Sequence, residues 1–173
     1  MKTTRTLLTI ATAAVGLIVA GAPAQADPLP MEPQTIELPG TDTAGDAGFC
    51  PFPVTIDFFS GQRVTETTLP NGATKFRFTG HAEAIVTNDV TDESITYNVS
   101  GPGTQTVFPD GSFTIDAAGP NLFWTSVENS EPAGVLQLAY TTGRVRLAVD
   151  ENGQTTSYQL NGRSTDVCAE LAA

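Results

Sequence analysis

Between Val54 and Leu160 apolar side chains recur at every second position, and a chain patterned this way can hide them only as strands with one dry face. Val54, Ile56 and Phe58 alternate with Thr55 and Asp57; Phe76 and Phe78 alternate with Lys75 and Arg77. Ile95, Tyr97 and Val99 form a third row, and Phe113, Ile115 and Ala117 a fourth. Leu136, Leu138 and Tyr140 follow, then Val145, Leu147 and Val149 against Arg144 and Arg146, and Tyr158 with Leu160 closes the series. Weaker strands are expected over 63–69, 82–86, 104–108 and 122–125, and a short edge strand over 35–38. No apolar repeat of helical period follows Cys50; only 166–173 could make one helical turn.

Turn chemistry divides these runs. Asn71-Gly72 and Asn161-Gly162 offer the positive φ angles of a tight hairpin. Pro109-Asp110-Gly111, Thr142-Gly143 and Asp150-Glu151-Asn152-Gly153 provide further reversals. The fold class expected is all-β, an antiparallel up-and-down meander of about 8–10 strands, a number set by the spacing of these turns. A meander with one apolar face hides it by closing into a barrel or folding into a sandwich. Sequential hairpins favour a closed or nearly closed barrel, with the β-sandwich as the alternative.

The first 26 residues read as a signal peptide. Lys2 and Arg5 precede an apolar run from Leu7 to Ala20, and Ala24-Gln25-Ala26 presents the small residues a signal peptidase cleaves after. The run is short for a membrane span and no second one follows, so no span is expected in the mature chain and the protein reads as secreted, extracellular. Residues 27–49 form a Pro/Gly-rich arm, and 50–173 the β-domain. Without Lys2 and Arg5 the basic count falls from 8 to 6 against 19 acidic residues, moving the net charge from -11 to -13. So acidic a surface offers nucleic acid no attraction, and that class of partner is excluded.

Cys50 and Cys168 are the two cysteines, and in an oxidising compartment they are expected to pair, drawing the end of the β-domain to its start. With His81 they lack zinc-ligand spacing, so no metal and no cofactor is expected. Asp89, Asp92 and Glu93, Asp42 and Asp46, and Asp150 and Glu151 cluster in loops but miss the calcium-loop spacing. His81 and Glu83 share a strand face and could act as acid and base, yet no serine stands in a nucleophile-elbow context. Lys75, Arg77, Arg144 and Arg146 form a candidate anion patch if their strands are neighbours; cross-strand pairing with Glu66, Glu83 or Asp57 is the alternative. Phe58, Phe76, Phe78, Tyr97, Phe113, Trp124, Tyr140 and Tyr158 are the candidate pocket-lining aromatics, which would otherwise simply fill the interior. Phe59 and Phe123 fall on the opposite parity and read as exposed patch residues or bulge markers.

The stretches Cys50-Pro51-Phe52-Pro53-Val54, Pro109-Asp110-Gly111-Ser112-Phe113 and Asp166-Val167-Cys168-Ala169-Glu170-Leu171 resemble those of small secreted actinobacterial proteins with a single terminal disulfide. The resemblance implies an extracellular β-domain and carries no activity and no catalytic residues. Three functions stay open: a carrier of a small hydrophobic ligand or binder of an envelope partner; a barrel-interior acid/base enzyme (isomerase, cyclase or hydrolase); and a structural or interaction protein of the cell envelope tethered by its arm.

Overall fold

A computed structural model describes residues 29–41, 49–124 and 137–173. Residues 1–28, Asp42, Asp46, Thr125 and Leu136 lie outside the described residues. The chain forms β1 (Leu29–Pro30), β2 (Gln34–Leu38), β3 (Val54–Ser60), β4 (Arg63–Thr68), β5 (Thr74–Thr79) and β6 (Ala82–Asn88). It continues through β7 (Ser94–Asn98), β8 (Gly103–Val107), β9 (Phe113–Ala118), β10 (Asn121–Trp124), β11 (Leu138–Val149) and β12 (Thr155–Asp166) to a short helix, α1 (Val167–Leu171). The protein is all-β and every strand pairing is antiparallel.

The strands sort into an eight-stranded sheet, ordered β1-β4-β5-β8-β9-β11-β10 with β12 also on β11, and a four-stranded sheet, β2-β3-β6-β7. The two sheets share their long strands. Ser60 pairs with Ala82 and Arg63 with Thr79, so the β3–β6 and β4–β5 ladders are halves of one hairpin in unbroken register. Glu83 opposite Asn98 and Phe78 opposite Gly103 do the same for β6–β7 and β5–β8. Ala118 opposite Arg144 and Asn121 opposite Thr141 join β9 and β10 along β11. The β1/β2, β3/β4, β5/β6 and β7/β8 strands cross from one sheet to the other at a corner, the device by which strands switch sheets in orthogonal packings. The β9/β10 strand has a corner at 119–120 while staying in the larger sheet. Gly61, Gly80, Gly101 and Gly119 stand at four of these corners; Gly80 (φ +121) and Gly119 (φ +81) use backbone angles that other residues resist.

Taken as long strands, neighbours in space are neighbours in sequence, the up-and-down order implied by the turns. The turns at Asn71-Gly72, Pro109-Asp110-Gly111 and Asp150-Glu151-Asn152-Gly153 are where expected, each closed by backbone bonds such as Gly72 N–H to Leu69 O at 2.9 Å. No closed barrel is found: β12 and the β1/β2 strand are both left as edges. Closure would need the last strand to pair with the first. Here the chain leaves β12 as α1, and the disulfide brings that helix, not a strand edge, to Cys50. Two sheets meeting along a row of corners are as much a sandwich as an open barrel.

Two expected turns are not turns. Thr142-Gly143 and Asn161-Gly162 lie inside β11 and β12, where Gly143 pairs with Gly162. A β carbon on Gly162 would collide with the Thr142 carbonyl oxygen, and one on Gly143 with the Asn161 carbonyl oxygen. The glycines serve a close crossing of two strands rather than a reversal. Part of the arm, too, joins the sheets: β1 pairs with β4 and β2 with β3, and Leu38 enters the core.

The core gathers at the four-stranded sheet. Val54, Ile56, Ala84 and Val86 are fully buried there with Leu138, Val167 and Cys50. Helix α1 plugs this end. Asp166 caps it by accepting from Ala169 N–H at 3.1 Å, Cys168 is bonded to Cys50, and Asn88 Nδ2 donates to the Leu171 carbonyl at 3.2 Å. Tyr97 stacks on Tyr140, with ring centroids 4.6 Å apart, and its hydroxyl donates to Glu170 Oε2 at 2.5 Å.

Candidate functional site

Strands that bend together splay their inner faces, and at the corners a cavity of about 250 Å³ opens between the sheets. Its lining follows the bends from strand to strand. Met31 lies between β1 and β2, Ser60 and Gln62 flank Gly61, and Phe78 and Ala82 flank the Gly80 corner. Val99, Gly101 and Gly103 come from the β7–β8 corner, and Ala117 and Asn121 from the β9–β10 corner. The opening follows from β7 and β10, which stay unpaired with one another. The ladder between their long strands ends at Ala118 N–H to Pro102 O (2.9 Å) and Gly101 N–H to Pro120 O (2.8 Å).

Of the aromatics expected to line a pocket, Phe58, Phe78 and Trp124 do so, with Phe58 and Trp124 in ring contact at 6.0 Å. Phe76, Tyr97, Phe113, Tyr140 and Tyr158 do not. Tyr97 and Tyr140 belong to the packed end, and Phe76, Phe113 and Tyr158 are half-buried on the larger sheet. Phe123, assigned to the outward parity, is a lining residue: the register on β11 runs unbroken across the Gly119–Pro120 corner, so Phe123 continues the row of Ile115, Ala117 and Asn121, which line the cavity too. Phe59 stays exposed.

Sequence reasoning passed over the polar lining. Gln34, Gln62 and Gln105 fall on the inward parity of their strands, beside Ile36, Ser60 and Val107, and all three reach the cavity. A polar residue on a dry parity was the available signal. Among the described residues none of these three amides makes a side-chain hydrogen bond, whereas Asn121 Nδ2 is held by the Ala118 and Gly119 carbonyls at 3.3 and 3.2 Å. No charged side chain is among the described lining residues, although the chain carries a net charge of -11.

The remaining candidates lie on outer surfaces. Arg144 grips Asp116 with both arms of its guanidinium, at 2.8 and 2.6 Å, and Arg146 Nε lies 3.5 Å from the same carboxylate. The candidate anion patch is thus divided: Arg144 and Arg146 are paired across the strands, with Asp116 in place of Glu66, Glu83 or Asp57. The Arg144 bond holds the Asp116 carboxyl below its ordinary range. Lys75 and Arg77, on β5, are separated from β11 by β8 and β9, and make no ion pair among the described residues.

His81 Nδ1 is 2.9 Å from Ser100 Oγ and its Nε2 is 3.9 Å from Glu83. All three stand outside the cavity lining, and the Ser100 hydroxyl is engaged with the Ala82 backbone, accepting from its N–H and donating to its carbonyl. The group ties a corner together; it does not present a nucleophile to a pocket. Among the described residues no three His, Cys, Asp or Glu side chains are placed to hold a metal ion, and no helix is long and apolar enough to cross a membrane. Compared with known proteins, the chain matches no family model, no curated protein and no solved structure.

Proposed function

We propose that this chain is an exported binding protein that holds one small, mostly apolar molecule in the corner cavity. The observation that carries the reading is a cavity of about 250 Å³ walled by Ile36, Phe58, Phe78, Leu122, Phe123 and Trp124 in a domain whose other end is tightly packed. Ligand sites are concave, mostly apolar and supplied with a few placed polar groups, and this volume lies just below their usual range, which suits a small molecule. The described lining offers hydrogen bonds and apolar contact but no carboxylate, imidazole or amine, which favours holding a molecule over converting it. Export is supported by the leader-like first 26 residues and by the disulfide, a bond of oxidising compartments.

Gly103 provides the test. A β carbon there would sit 3.5 Å from Ala117 Cβ, an ordinary contact, so a larger side chain at this position grows into the cavity without touching the packed end. Wild-type protein titrated with the neutral fluorophore N-phenyl-1-naphthylamine is expected to bind it saturably, one per chain, with a change in Trp124 emission. Gly103→Phe should abolish that binding while leaving the melting curve in place. A wild-type protein that gives no saturable signal would overturn the carrier reading.

A further inference from the structure

We infer that Gln62 is the hydrogen-bonding reader of the cavity, and that the ligand is a neutral, mostly apolar molecule with one uncharged polar group, such as an alcohol, ketone or carboxamide. This rests on the cavity being a binding site. Gln62 keeps only 9% of its surface, and its side-chain amide has no partner among the described residues. Buried amides are nearly always paired, so an unpaired one calls for an explanation. Its backbone leaves it little freedom to find a partner elsewhere. The N–H donates to Ser60 Oγ at 3.0 Å, and the carbonyl accepts from Met31 N–H at 3.0 Å. Both bonds pin the corner, and the side chain lies on the parity of Phe58 and Ser60, which line the cavity.

The amide is not sealed away either. No described side-chain nitrogen or oxygen that is fully cut off from solvent lacks a partner, so the Gln62 amide keeps some accessible surface, and Gln62 is one of the residues that line the cavity. A primary amide both donates and accepts, which suits a hydroxyl, a carbonyl or another amide equally. Charge is disfavoured from both sides. A carboxylate would lose its water with no cation in the described lining to replace it, and an ammonium would find aromatic faces but no carboxylate. Gln34 and Gln105 extend the same neutral chemistry around the wall.

A matched series with one tail separates the possibilities: 1-decanol, decanamide, decanoate and decylamine, each competed against 1-methylnaphthalene, which has no hydrogen-bonding group. On the disulfide-intact full chain, decanol and decanamide should displace the probe at least about ten-fold more tightly than the acid and the amine, whose charges would lose water with no counter-charge in the described lining. Gln62→Leu should bind decanol and decanamide about ten-fold more weakly than the wild type while its affinity for 1-methylnaphthalene stays within about two-fold, since one hydrogen bond is lost and apolar contact is untouched. Gln62→Met, longer and unbranched, serves the same purpose if leucine disturbs the corner. Decanoate or decylamine binding as tightly as decanol, or a Gln62 variant that binds decanol as tightly as the wild type, overturns this inference and leaves the binding reading standing. If no member of the series and no probe binds the wild type, the binding reading itself falls.

Discussion

At the four-stranded sheet the inward row is closed: Val54, Ile56, Ala84 and Val86 are each 0% exposed, and α1 seals them with Val167 and Leu171. Across the corners, on the larger sheet, the inward row of Phe76, Phe78, Gln105 and Ile115 is only half-buried. The long β5/β6 strand, with one unbroken alternation, supplies Phe76 and Phe78 to one row and Ala84 and Val86 to the other. What differs is the covering layer. One half has a helix tied down by a disulfide, an Asn88 bond and a Tyr97 bond, while the other half faces the cavity. An apolar parity therefore marks a dry side of a strand without deciding whether that side becomes core or pocket wall.

If stability resides in the packed half, breaking its staple has the largest effect. Replacing Cys50 and Cys168 together by serine should lower the unfolding free energy by about 4 kcal/mol, read from urea unfolding, because the bond closes a loop with a sequence separation of 118. Next in size is a paired comparison. Leu138→Ala, at a fully buried site, should cost about 3 kcal/mol. Phe76→Ala, at a half-buried site on the larger sheet, should cost about 1 kcal/mol for the smaller apolar area it loses. Equal costs at the two sites would erase the contrast between the halves.

The smallest effect is one of pH. The Tyr97 phenol is pushed well above its ordinary range, first by burial and then by the hydrogen bond and negative charge of Glu170; burial alone raises that of Tyr158. A raised phenol is protonated more readily in the folded chain than in the unfolded one. Its contribution is therefore complete below about pH 10 and is lost as pH climbs toward the raised value. Urea midpoints should fall as pH climbs above about 10. Tyr97→Phe should remove the greater part of that fall and Tyr158→Phe the lesser part, and the reverse order would place the buried titration in the wrong half.

Much of the fold was legible because strand alternation and tight turns are local. The inward rows through Val54, Ile95 and Val145 and the turns at Gly72 and Gly111 needed only neighbours in the chain. Gly162 shows the limit of such reading. Asn-Gly has the chemistry of a turn, but a glycine is equally suited to a close strand crossing, and its partner Gly143 is visible only when β11 and β12 lie together. The candidate site was legible in part for a related reason. Phe58, Phe78 and Trp124 announced themselves as large apolar residues on a dry parity, whereas Gln34, Gln62 and Gln105 looked like pattern breaks.

By itself, the order of residues determined that this protein is made of antiparallel strands, which side of most of them is dry, and which two sulfurs could join. The tertiary structure alone decided that strands bend at glycine corners into two sheets, that Asp116 neutralises Arg144, and that Gln62, largely buried, lines a cavity. The reason is one of range. Alternation and turn preference act over a few residues, while the covering of a face depends on segments far away in the chain.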